Sequence, residues 1–295
     1  MSAPVKHLGI VVAVDGSPAS DAATCWAARD AALRNVPLTV VSVVTTPTAT
    51  FPPVPYPDSL GARLEDQGRK AAADAVKMAE DAMPTDRKVA VKSKVVFSTP
   101  AQALVKMSDE AEMIVVGSSG KRVLARGVLG SVSSSVVRHA NCPVAVIRDE
   151  DLLMPDPQHA PVLVGIDGSP ASELATEIAF GQASRRAVEL IALHAWSDVP
   201  AFDLEGLDWS ALVSAEERTF ADSLVGWQER YPNVTVQRVV VCDEPARLLI
   251  EKSESAQLVV VGSHGRGGFD RLMLGSVSNT VLHSVRIPVI VARPS

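Results

Sequence analysis

The chain has 295 residues, 47% of them hydrophobic and 21% charged, with a formal net charge of −6. At roughly 150 residues per domain this length suits two domains, each large enough to bury its own core. The negative charge argues against a nucleic-acid surface, which needs basic residues to neutralise phosphates, and the longest apolar runs fall well short of the ~18 residues of a membrane-spanning helix.

Val-rich runs alternate with Ala-rich stretches. In the first half the pattern predicts a strand over 8–14, a helix over 19–35 and a strand over 38–44. Residues 46–58 hold five prolines and read as a loop. A charged, Ala-rich helix over 59–82 follows, then a strand over 89–97, a helix over 100–109 and a strand over 113–116. A helix over 131–139 and a strand over 144–147 close the half. The segment 149–161, rich in acids and prolines, reads as an exposed linker.

The second half repeats the first. The six residues from Asp15 to Ser20 recur unchanged from Asp167 to Ser172. Val115-Val116-Gly117-Ser118 returns as Val260-Val261-Gly262-Ser263, and Gly130-Ser131-Val132-Ser133 as Gly275-Ser276-Val277-Ser278. Pro143-Val144-Ala145-Val146 returns as Pro288-Val289-Ile290-Val291. A period this long marks a duplicated domain and not a solenoid. The expected domains are 1–150 and 160–295. Strands alternating with helices imply, in each, a five-stranded parallel sheet with helices on both faces.

The sharpest local signal is Gly117-x2-Gly120-x9-Gly130-Ser131, which recurs with identical spacing as Gly262-x2-Gly265-x9-Gly275-Ser276. Gly117 and Gly262 follow Val-rich strands, and the later Gly-Ser pairs open helices. This suits a phosphate cradle. Glycines permit φ > 0 and close approach of a ligand, successive N–H groups form an anion nest, and the helix N-terminus adds donors and the positive dipole end. Asp15 and Asp167 close the first strand of each half. If strands one and four are neighbours where strand order reverses, Asp15 faces the Gly117 loop. A carboxylate there can accept from ribose hydroxyls, meet phosphates through a divalent cation, or cap the next helix. Ser17 and Ser169, each followed by Pro, are the better N-cap candidates.

With these motifs in hand, the chain resembles the universal stress protein family in its tandem form, over almost its whole length. G-x2-G-x9-G-[S/T] is that family's ATP-binding motif, and both halves match it. The resemblance implies two Rossmann-like domains of the adenine nucleotide alpha hydrolase type and ATP as ligand, with Mg2+ as a possible companion. It implies that the glycines and following Ser meet phosphates and ribose, the Asp meets the nucleoside, and backbone near Val43 or Ala195 meets adenine. The expected contacts are Asp15, Gly16, Val43, Val116, Gly117, Gly120, Gly130, Ser131 and Val132 in the first half. In the second they are Asp167, Gly168, Ala195, Val261, Gly262, Gly265, Gly275, Ser276 and Val277. The resemblance further implies stress-response roles linked to hypoxia and dormancy, as in actinobacterial members. Family members dimerise through the last, apolar strand, so the expectation is a pseudo-twofold pairing of the two halves inside one chain through residues 143–147 and 288–292, with a further homodimer and an unidentified protein partner beside it.

Other residues carry weaker signals. The first half has Ser119-Gly120-Lys121-Arg122 where the second has His264-Gly265-Arg266-Gly267-Gly268, so the two loops differ. His264 is a candidate phosphate contact, whereas His139, His194 and His283 suit helix ends or packing beside strands. Ser133 can serve the helix start or a phosphate, and Trp196 and Trp209 suit packing of a long loop. The six histidines lack metal-ligand spacing. Cys25, Cys142 and Cys242 form no CxxC pair and suit buried thiols in a reducing cytoplasm. Residues 1–17 lack the basic region and cleavage site of a signal peptide. The chain carries no G-x4-G-K-[S/T], G-x-G-x-x-G or G-x-S-x-G. The expectation is a binding module and not an enzyme. The alternatives are a slow ATPase or nucleotidyl transferase drawing on Arg126, Arg266 or Arg271, and, more remotely, an adenine-cofactor flavoprotein relative.

Overall fold

A computed structural model of the chain describes residues 7–45, 59–120, 129–148, 159–195, 209–265 and 274–294. The chain divides into two compact units, Met1–Asp149 with Ser295, and Glu150–Pro294. The first contains β1 (Ile10–Val14), α1 (Pro18–Arg34), β2 (Leu38–Val44), α2 (Ser59–Ala82), β3 (Val91–Phe97), α3 (Pro100–Met107), β4 (Met113–Gly117), α4 (Ser131–His139) and β5 (Val144–Ile147). The second contains β6 (Val162–Gly165), α5 (Pro170–Arg186), β7 (Leu190–Ala195), α6 (Trp209–Arg230), β8 (Val236–Val241), α7 (Pro245–Ser253), β9 (Leu258–Gly262), α8 (Ser276–Ser284) and β10 (Val289–Ala292).

Within each unit the strands are parallel. The order is β3-β2-β1-β4-β5 in the first and β8-β7-β6-β9-β10 in the second. This is the expected doubly wound α/β fold, and β1 and β4 are the neighbours at which strand order reverses. The register Ile10↔Met113 through Val12↔Val115 carries both chains to the same end of the sheet, where Asp15 and Gly117 emerge side by side. The interior strands β1 and β4 are buried at nearly every position, as strands covered by helices on both faces must be. The core of the first unit centres on Ile10, Val11, Val12, Ile114 and Val115, all 0% exposed.

Helix starts follow the chemistry of the sequence. Ser17 caps α1 by accepting from the Ser20 amide at 3.3 Å, with Pro18 in the first turn. Ser169 caps α5 in the same way at 3.2 Å from the Ser172 amide, with Pro170 behind it. Both helices end on a left-handed residue, Asn35 at φ 55° and Ala187 at φ 54°.

Several boundaries differ from expectation. The third strand begins at Val91 and not at 89, because its ladder starts with Leu38↔Val91 and the Ala90 carbonyl accepts from the Leu38 amide just before it. The fourth strand extends to Gly117, which pairs with Ile147. Helix α3 stops at Met107, two residues early, where Ser108 turns back onto the Leu104 and Val105 carbonyls. The expected loop at 46–58 and most of the expected linker lie outside the described residues.

The cysteines also differ from expectation. Cys142 is buried and Cys25 half-buried, its thiol pKa pushed up by desolvation, but Cys242 is exposed because it follows the edge strand β8. Among the described residues no helix is long and apolar enough to cross a membrane.

Candidate functional site

The site is built where the central strands end. In the second unit a cavity of about 520 Å³ opens beyond β6 and β9, within the ~300–1,000 Å³ range usual for small-molecule sites. Asp167, Ala195, Val261, Gly262, Gly265, Gly275, Ser276 and Val277 all line it, so eight of the nine residues expected there are brought together. Gly168 is not among the lining residues. It turns the chain at φ 79° between Asp167 and the N-cap Ser169. Leu193, Pro245 and Leu249 supply an apolar wall that sequence reasoning missed. The repeat offered the only signal for them: Pro245 opens its helix as Pro100 does.

The acidic residue is held in place by the backbone. Asp15 Oδ1 accepts from the Ser17 amide at 3.0 Å, and Asp167 Oδ1 from the Ser169 amide at 2.9 Å. Neither carboxylate is the helix cap, since Ser17 and Ser169 take that role. The other carboxylate oxygen turns to the glycine loop. A Cβ placed on Gly120 would stand 2.8 Å from Asp15 Oδ2, and one on Gly265 would stand 2.6 Å from Asp167 Oδ2. The second motif glycine therefore keeps room for the carboxylate at the crevice.

The first motif glycine also makes room for a helix. Among the described residues the positive-φ glycines are Gly9, Gly16 and Gly168, so the motif glycines do not serve as left-handed turns. A Cβ on Gly117 would lie 2.7 Å from the backbone carbon of Ala19, and one on Gly262 2.9 Å from that of Ala171. These glycines let the first turn of α1 or α5 pack directly onto the strand end. The crevice is thus closed on one side by a helix whose approach only glycine permits.

The third motif glycine joins the loop to the next helix. The Gly130 amide donates to the Ser118 carbonyl at 2.7 Å, and Gly275 to Ser263 at 2.8 Å. Gly130 and Gly275 are also the N-cap residues of α4 and α8 and offer no side-chain cap. The first-turn amides thus lack the cap that Ser17 and Ser169 provide elsewhere, and this suits them to an anion. Ser131 and Ser276 are exposed at that turn, with Val132 and Val277 half-buried beside them. The Ser133 hydroxyl donates to the Gly117 carbonyl at 2.7 Å, and Ser278 does the same to Gly262. Ser133 therefore ties helix to strand.

Of the remaining first-half residues, Val116 is buried in β4, Val43 is half-buried near the end of β2 and Gly16 turns at φ 74°. His194 packs at the end of β7, its Nδ1 2.7 Å from the Ile166 carbonyl and its Nε2 3.1 Å from Glu216 Oε1. His139 closes onto the Ser135 carbonyl at its helix end. Lys121, Arg126, Arg266, Arg271 and Trp196 lie outside the described residues.

The universal stress protein family model matches residues 9–148 and again 159–293. A universal stress protein of Mycobacterium tuberculosis is 64% identical over all 295 residues, covering 100% of both chains. A second from that organism is 52% identical, covering 100% of this chain and 99% of its own. The crystal structure of a universal stress protein from Archaeoglobus fulgidus superposes with a TM-score of 0.70 at 18% identity, covering 98% of this chain and 99% of that one, and it shares the fold. With two copies of the family's domain and relatives of matching length, the chain belongs to the universal stress protein family.

Proposed function

We propose that each half binds ATP in the crevice between its first and fourth strands, and that the protein is a regulatory binding module. The observation that carries this reading is the second-half cavity. Apolar walls at one end, a backbone-anchored Asp167 and an uncapped helix start at Gly275 meet around one space. Those three features match a base, a ribose and a phosphate tail in that order. The duplicated spacing extends the reading to the first half, giving two sites per chain. Asp15 and Asp167 accept from ribose hydroxyls in this reading, with Mg2+ as a companion of the phosphates. The proposed setting is a cytoplasmic stress or dormancy response, with a homodimer and a protein partner that senses the bound state.

The cradle offers ground-state contacts, whereas catalysis needs contacts that strengthen in the transition state. Turnover is therefore expected below the ~1 per second that marks the slow end of typical enzymes. Mass spectrometry of nucleotide released from gently purified protein, with calorimetry for ATP and GTP, tests the proposal. Two ATP per chain with weaker GTP is the expected result. Zero stoichiometry, or GTP preferred over ATP, overturns it.

A further inference from the structure

One side chain at the second-half cavity belongs to none of the duplicated features. His264 lines the cavity between Gly262 and Gly265, and the aligned first-half position holds Ser119. Its backbone is held from two sides. The Ser169 hydroxyl donates to the His264 carbonyl at 3.3 Å, and a Cβ on Gly275 would stand only 3.2 Å from His264 Cα. The residue is thus pinned against the N-cap of α8.

The ring is oriented as well. Ser263, only 1% exposed, places its hydroxyl 2.9 Å from His264 Nδ1. A buried hydroxyl seeks an acceptor for its proton, and a neutral imidazole offers one at a single nitrogen. When Ser263 donates to Nδ1, the ring proton resides on Nε2, which becomes a donor at a residue that lines the cavity. The first half has Ser118 at the place of Ser263 but no imidazole beside it.

We propose that His264 is a specificity-determining residue of the second site, an imidazole held by Ser263 that reads the phosphate tail of the nucleotide. The two halves then differ in kind. The second distinguishes a phosphorylated nucleoside from the bare nucleoside more strongly than the first. This rests on the nucleotide reading above and assigns a task to a residue outside the shared glycine motif.

The experiment compares ATP with adenosine, titrated calorimetrically into the full chain, for the parent, His264→Ser and Ser119→His. A hydrogen bond to a charged group corresponds to roughly a tenfold change in affinity or more. His264→Ser is expected to weaken ATP at one of the two sites by about tenfold while leaving adenosine unchanged. Ser119→His is expected to tighten ATP at the other site without changing adenosine. Retained adenosine binding also verifies that the variant is folded. Equal weakening of ATP and adenosine, or no change in ATP, overturns the proposal while the nucleotide reading stands. A parent chain that binds neither ligand overturns both.

Discussion

The two halves use one backbone plan and fill it in two ways. At the crevice they share three backbone ties. The Asp accepts from the amide two residues on, the third motif glycine donates to the carbonyl after the strand, and the helix serine ties back to the strand end. Behind the crevice they diverge. In the second half Phe180 of α5, 0% exposed, stacks on Trp227 of α6 at 6.1 Å and on Tyr231 at 5.7 Å. The first half has Ala28 of α1, also 0% exposed, at the position aligned with Phe180, and buries Ala75 and Ala79 of α2. The packing differs while the crevice's backbone ties agree, and cores tolerate many apolar solutions of suitable volume.

The largest effects should fall where the halves differ. Phe180→Ala removes the centre of the aromatic cluster and should destabilise the second half by about 3–5 kcal/mol. Ala28→Phe inserts a ring at a fully buried position of α1 and should cost the first half about 1–3 kcal/mol. Domain-resolved urea unfolding measures both, with Trp227 reporting on the second half. If Phe180→Ala shifts both transitions together, the halves are not separate cores.

Gly117→Val and Gly262→Val test the shared part. Each new side chain meets helix backbone at 2.7 and 2.9 Å respectively, so each should cost its own half about 3 kcal/mol, the upper end for overpacking. The losses should match in the two halves and appear without nucleotide. A variant that unfolds normally but binds no ATP would return these glycines to the ligand.

This is also where sequence reading reached its limit. The succession of strands and helices, the two-domain division and both serine caps are legible, because hydrophobic period, the repeat and the Ser-Pro pair each leave a local mark, whereas strand order enters only as a condition. The packing of α1 against Gly117 is not legible there, because a glycine spacing looks the same whether or not a helix lies against it. Leu193 and Leu249 escaped notice for a related reason: a cavity wall of ordinary strand and helix residues has no pattern of its own. Asp15 was readable as important, but its Ser17 amide bond and its closeness to Gly120 depend on neighbours brought together by the fold.

Asp15→Ala and Asp167→Ala should separate binding from stability. Each loses an acceptor for a backbone amide, worth about 1 kcal/mol of folding stability. Each should also weaken ATP at its own site by roughly tenfold to a hundredfold, the span expected for hydrogen bonds to a charged group. Calorimetry paired with thermal unfolding reads both quantities. Unchanged ATP affinity with a lowered melting temperature would leave the carboxylates a purely structural role.

The smallest effect concerns how the first helix of each half ends. Asn35 and Ala187 occupy the same left-handed conformation, at φ 55°, ψ 46° and φ 54°, ψ 46°. Each amide reaches back to two carbonyls of its helix, Ala31 and Ala32 in one case and Ala183 and Ser184 in the other. Left-handed backbone costs an ordinary L-residue about 1–2 kcal/mol, and Asn visits it more readily than Ala because its short polar side chain bonds locally. The first half therefore ends its helix with a suitable residue, while the second carries strain at Ala187. Ala187→Gly removes the Cβ that causes the strain, although glycine loses more chain entropy on folding, about 0.5–1 kcal/mol. The net gain should be under about 1 kcal/mol, and Ala187→Asn should gain a similar amount. Asn35→Ala should lose a comparable amount from the first half alone. Urea midpoints at constant slope measure all three, and a destabilised Ala187→Gly would mean that the methyl group holds packing worth more than the strain it brings.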